Sequence, residues 1–338
     1  LCKSISDRRC SLHPPKHTVI QYLIRRLLES VLILFVISML MFTLISLYPG
    51  GIMNAYEENP DVPSEHYPRL RDKYGLDDPI PVRYAKWLHN VLTGDWGVSF
   101  VSKQPALDEI MARLPNTLLL MGVAFVVTLL IAVPLGILSA LRQYSLLDNV
   151  LTVTAFGGNS LPVFWFGLLL IFHVWLGWFP GSGMWTLGAE KSLADLARHM
   201  VLPVSMLALV SAAGYMRYMR SSMLDVVRQD YIRTARSKGM SERRVIVSHA
   251  LRNALIPLVT LIALDLPALF GGALFTETIF GWPGMARLFY ERSLKSDIPV
   301  LMAILIIFSA LILLSNLLAD LVYTYLDPRI RLGESKTS

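Results

Sequence analysis

Residues 299–325 read PVLMAILIIFSALILLSNLLADLVYTY, an apolar run with one charge, Asp320, near its end. At about 1.5 Å of rise per residue, a helix of this length crosses the roughly 30 Å of hydrocarbon in a bilayer. Working outward, the same reading applies near 27–48, 116–141, 150–176, 200–219 and 254–275. Each run must satisfy its own backbone in lipid, which a helix does. The predicted fold is therefore an all-α polytopic membrane protein with about six transmembrane helices. Composition agrees. Of 338 residues, 54% are hydrophobic and 17% charged, with mean hydropathy +0.51, whereas soluble domains carry about 25% charged residues.

Lys and Arg set the orientation. With both termini inside, 19 of the 31 basic residues fall inside. Of the 12 outside, 7 lie in the long 49–115 segment, and long translocated segments weigh little in this rule. The expectation is N-in, C-in at the cell (inner or plasma) membrane. The net charge of +6 is then a topology signal, and no basic face with stacking aromatics points to nucleic acid. Cys2 and Cys10, the two cysteines, fall in the predicted cytoplasmic tail, where thiols stay reduced. No His/Cys cluster accompanies them, so neither a metal nor a cofactor is expected. The first apolar run is too long for a signal peptide's core and reads as a retained span. Residues 1–18 read as an extension, with the functional chain beginning around Ile20.

The division that follows is a polar tail (1–19), a first transmembrane helix (20–48) and an extracytoplasmic segment (49–115). A core of five spans (116–326) includes the loop 220–253, and a cytoplasmic tail (327–338) closes the chain. The 49–115 segment predicts short helices near 64–74 and 80–92, with Trp87 and Trp96 as interface aromatics. Segment 142–149 is a tight turn. In segment 276–298, Gly281-Trp282-Pro283-Gly284 forces a turn and Phe280, Trp282 and Phe289 return it to the membrane surface. Pro134, Pro203, Pro257 and Pro267 mark kinks. A carboxylate in mid-span costs about 2.5–3.5 kcal/mol on insertion scales. Asp265 should therefore either face a wet cavity, pair with a polar group of a partner chain, or sit protonated. Asp320 and His173 are lesser polar cases, and Gly271-Gly272 permits close helix contact.

Between the fourth and fifth runs, Asp225 to Asn253 reads DVVRQDYIRTARSKGMSERRVIVSHALRN. Tyr231 to Lys238 predicts a short helix ended by Gly239, and Ser241 with Glu242 starts a second one. Such an elbow suits being gripped by another protein. No stretch reads G-x-x-x-x-G-K-[ST], so a phosphate-binding loop is absent from the sequence. No nucleophile–base arrangement is evident either, and no catalytic residue is expected.

This loop resembles the cytoplasmic signature loop of ABC-transporter permeases. It departs from the general pattern, with Arg233-Thr234-Ala235 where Glu-Ala-Ala is usual and His249-Ala250-Leu251-Arg252 where Ile-x-Leu-Pro is usual. It is similar instead to the dipeptide/oligopeptide branch, through Tyr231 to Glu242, His249 to Ala254 and Pro257. Further pieces run in order along 20–330. They are Tyr74 to Asp77, Gly94 to Ser99, Leu114 to Leu118, Leu161 to Trp165, His199 to Pro203, Glu277 to Gly284 and Asp327-Pro328-Arg329.

The resemblance implies the first permease subunit of a binding-protein-dependent importer, with a type I-like fold. It implies four kinds of partner: a second homologous permease, two ATP-binding subunits, an extracytoplasmic solute-binding protein and the lipid bilayer. The elbow residues Tyr231, Arg233, Thr234, Ala235, Arg236, Lys238, Gly239, Ser241 and Glu242 would couple to an ATPase. Ala235, Met240 and Val245 would pack in its groove, and Arg233, Arg236, Arg243 and Arg244 would meet acids at its rim. Peptides are the expected substrate, with nickel complexes, glutathione or oligosaccharides as alternatives. A proton-driven secondary transporter using Asp265 and His173 is the competing class, but such proteins show internal repeats and none is evident.

Overall fold

The computed structural model describes residues 16–47, 77–172, 177–265 and 274–326. Cys2, Cys10, the helix expected near 64–74, His173, Pro267, Gly271-Gly272 and Asp327 to Arg329 lie outside the described residues.

Among the described residues, five helices are long and apolar enough to cross a membrane. They are α1 (Lys16–Leu47), α3 (Ala106–Leu141), α6 (Leu193–Val227), α8 (Glu242–Asp265) and α11 (Ile298–Leu326). The helix α1 begins inside the stretch expected to be tail. The expected span 150–176 is not straight. It is α4 (Leu146–Ser160) followed by α5 (Val163–Phe172), bent by 103°. Proline disfavours the helical region for the residue before it, and Leu161 ahead of Pro162 is extended (φ −81°, ψ 128°). Counting that pair as one gives six spans. Short helices complete the order: α2 (Ile80–Leu92), α7 (Asp230–Ser237), α9 (Leu274–Ile279) and α10 (Met285–Ser293).

The most extensive helix pairing is α3 with α6, and its cause is legible along α3. Thr117, Met121, Ala124, Thr128, Ala132, Gly136 and Ala140 recur every three or four residues and are all buried. Lipid supplies no hydrophobic drive between helices, so small residues that admit close backbones determine where they pack. A Cβ at Gly136 would stand 2.7 Å from the Met216 carbonyl oxygen and 2.7 Å from Met219 Cβ, so glycine is what lets α6 approach there. Methionines 216, 219 and 223 fill this seam, unbranched side chains that adapt to irregular gaps.

Charged and hydroxyl groups pin the periphery. Arg26 Nε donates to Asp320 Oδ2 at 2.7 Å, joining α1 to α11. Ser38 and Tyr84 share a 2.7 Å hydrogen bond between α1 and α2. Trp87, expected at the interface, packs on Phe42 and Tyr84. Trp96 packs against the cluster of Ile110, Met285, Leu288 and Val300 that joins α3, α10 and α11.

The 276–298 excursion also differs from expectation. Trp282 and Phe280 are fully buried, and Phe289 packs against that same cluster. The turn is drawn inward by hydrogen bonds to α3. Trp282 Nε1 donates to the Asn116 carbonyl at 2.9 Å, and Asn116 Nδ2 to the Pro283 carbonyl at 2.8 Å. Buried Glu277 accepts from Thr117 Oγ1 at 2.6 Å and from the Arg287 amide at 2.9 Å. It thereby meets orphan amides at the start of α10.

Candidate functional site

The elbow forms where the sequence places it. Helix α7 ends at Ser237, and Gly239 has φ +74°, a left-handed conformation that glycine adopts without a Cβ penalty. The Gly239 amide donates to the Arg236 carbonyl at 2.9 Å and the Met240 amide to the Ala235 carbonyl at 3.4 Å. That paired closure is the Schellman motif. Then α8 starts at Glu242, without the expected cap bond from the Ser241 side chain. Its Val245–Leu251 stretch is π-wound, a form often found at functional sites.

An eight-residue helix is too short to hold itself. Its anchor is apolar: Ile232 and Ala235, three apart on one face, are buried in a core with Ala140, Met219, Met223, Val245 and Ala254. Met240 packs on the same cluster. This corrects the expected division of labour. Ala235 and Val245 are buried in the permease's own bundle, with half-buried Met240 packed against them, and root the elbow there. What faces outward is Tyr231, Arg233, Thr234, Arg236, Lys238, Gly239, Ser241, Glu242 and, beyond them, Arg243 and Arg244.

Among those charges, Arg236 is occupied within the chain, its Nη2 donating to Glu242 Oε1 at 2.6 Å and its Nε to Oε2 at 3.1 Å. The carboxylate beside it raises the Arg236 guanidinium above its ordinary range. Arg233 stays exposed, 3.6 Å from Asp230. Tyr231 Oη accepts from Asn253 Nδ2 at 3.1 Å, tying α7 to α8.

Asp265 does not stand alone in mid-span. Tyr215 Oη of α6 donates to its Oδ2 at 2.7 Å, and Tyr215 packs edge-on against Phe125. The carboxylate therefore has a partner within this chain. Beside it, α6 is the least apolar of the five spans. Its unburied positions include Ser211, Gly214, Tyr218 and Ser221, one helical face by their spacing. Sequence reasoning also missed the pairing of Asp148 with Arg220 across α4 and α6, at 2.8 Å twice over. The available signal was Ser145 three residues before Asp148, a helix-start pattern.

Residues 132–332 match the family described as binding-protein-dependent transport system inner membrane component. Residues 19–121 match the N-terminal family of the membrane component of such systems. The chain belongs to this family. The permease is 46% identical over 312 residues to the oligopeptide transport system permease protein AppB of Bacillus subtilis (strain 168), covering 91% of this chain and 98% of that one. It is 34% identical to the dipeptide transport system permease protein DppB of Escherichia coli (strain K12), covering 93% and 99%. It is 36% identical to the glutathione transport system permease protein GsiC of the same strain, again covering 93% and 99%. The permease is thus a multi-pass inner-membrane component of a binding-protein-dependent transport system.

Proposed function

We propose that this chain is a pathway-forming, non-catalytic permease subunit of an ABC importer for di- or oligopeptides, with both termini in the cytoplasm. Its complex contains a second homologous permease, two ATP-binding subunits that hydrolyse ATP, and an extracytoplasmic solute-binding protein. The observation that carries the reading is the elbow. Its apolar face is buried in the bundle and its basic face, with Tyr231, Arg233, Lys238, Arg243 and Arg244, is left open. A loop that only set topology would need no buried root and no Schellman closure. Peptide is favoured by the names of the relatives: two carry oligopeptide and dipeptide, and glutathione is itself a tripeptide. Asp265 and the Ser211, Gly214, Tyr218 and Ser221 face of α6 are the assigned wall of the path. Hydroxyls at these positions suit passing peptide amides of any sequence.

The test is uptake of labelled peptide into liposomes holding the whole complex. Uptake should require ATP and both ATPase subunits, and Arg233→Glu should release those subunits while the permease still inserts. Uptake by this chain alone under a proton gradient would refute the proposal.

A further inference from the structure

Asp148 opens α4 and is buried, yet four donors converge on it. Its Oδ1 accepts from Ser139 Oγ and, at 2.8 Å, from Arg220 Nε. Its Oδ2 accepts from Arg220 Nη2 at 2.8 Å and from the Tyr144 amide at 2.9 Å. Tyr144 has φ +64°, a conformation that costs a bulky residue backbone energy, and in it the amide reaches Asp148. The Asp148 amide in turn donates to Ser145 Oγ at 3.2 Å, capping α4. Three elements therefore meet on one carboxylate: the end of α3, the start of α4 and the last two turns of α6.

The position of Arg220 gives the cluster its consequence. From Arg220, α6 runs on to Val227, and the elbow follows at once. Elbow residues Ile232 and Ala235 share a core with Ala140 of α3 and Met219 and Met223 of α6. Helix α4 packs along α6 but buries few side chains of its own. Among its described side chains, Asp148 and Ala155 are the buried ones, and it ends at the Leu161–Pro162 bend. A buried ion pair adds little stability over apolar packing, but a two-point guanidinium–carboxylate pair admits one relative orientation. What it supplies here is geometry between helices.

We propose that Asp148, acting through Arg220, is a positioning residue for transport. It ties the first turn of α4 to the elbow-bearing end of α6, so that displacement of the elbow carries α4 about its bend. The inference rests on the elbow being the ATPase contact.

The experiment uses the complete complex in liposomes, with partner permease, ATPase subunits and binding protein. It measures ATPase subunits retained, ATP hydrolysed and peptide taken up for Asp148→Asn, Arg220→Gln and the double variant. The subunits should stay bound and hydrolysis should persist, while peptide moved per ATP falls about tenfold, as for loss of a typical coupling between sites. The double variant should be no worse than either single one, because both remove the same link. Should Asp148→Asn fail to assemble, Arg220→Lys decides, since it keeps the charge and gives up the two-point geometry. Peptide moved per ATP within about twofold of the parent in an assembled complex, or losses that add in the double variant, would overturn the proposal. Failure of the elbow reading shows separately, as ATPase subunits that remain on Arg233→Glu.

Discussion

Ile232→Ala removes three carbons from a side chain that is fully buried at the root of the elbow. At about 0.8 kcal/mol per buried carbon the transfer loss is about 2.4 kcal/mol. An unrelaxed cavity carries such changes into the 2–5 kcal/mol range (about). The transfer loss of about 2.4 kcal/mol alone shifts the ratio of docked to undocked elbow by about 60-fold. The spans are held by their own packing, so the loss falls on α7, whose other ties include Ala235, the Tyr231–Asn253 hydrogen bond and the exposed Arg236–Glu242 pair. Hydrogen exchange should then show residues 228–241 opened while α3 and α6 amides stay protected. ATPase subunits should bind more weakly in proportion to the docked fraction. Unchanged exchange in 228–241, with ATPase affinity retained, would refute the claim that burial in the permease's own core orients the elbow.

Three further outcomes follow from particular residues. At Gly239 a Cβ meets nothing within 4 Å, so the cost of substitution is backbone alone, about 1–2 kcal/mol. Gly239→Asn should therefore retain uptake, and Gly239→Val should lose it with insertion intact. Glu277→Ala strands the Thr117 hydroxyl and the Arg287 amide at about 1–3 kcal/mol for each buried unmet group, which should lower the melting temperature in detergent. Gly284→Ala should do the same from the other side, because its new methyl group would collide with the Glu277 carboxylate.

Much of this was legible in the sequence because it depends on local chemistry. Apolar runs of membrane length indicate spans whatever packs around them. Gly239 ends a helix because no other residue accepts a left-handed backbone so cheaply, and α7 stops where that glycine stands. Pro162 lies within the Leu161–Trp165 resemblance motif, and the restriction it places on Leu161 is the local signal of the break. The elbow's apolar residues carry no such local signature. Ala235, Met240 and Val245 look alike whether they face a foreign groove or their own bundle, and only the rotation of α7 against α6 distinguishes the two.

Sequence by itself determined the class of molecule, the number of runs that can span a bilayer and the local shape of the elbow, since each is a matter of length, hydropathy and single-residue backbone preference. Tertiary structure alone decided which polar side chains meet. Asp148 finds Arg220, Arg26 finds Asp320, Tyr215 finds Asp265 and Thr117 finds Glu277. Most of these partners stand far apart along the chain, and their meeting depends on how each helix is turned about its axis. That turn is set by where small residues such as Gly136 let two backbones close.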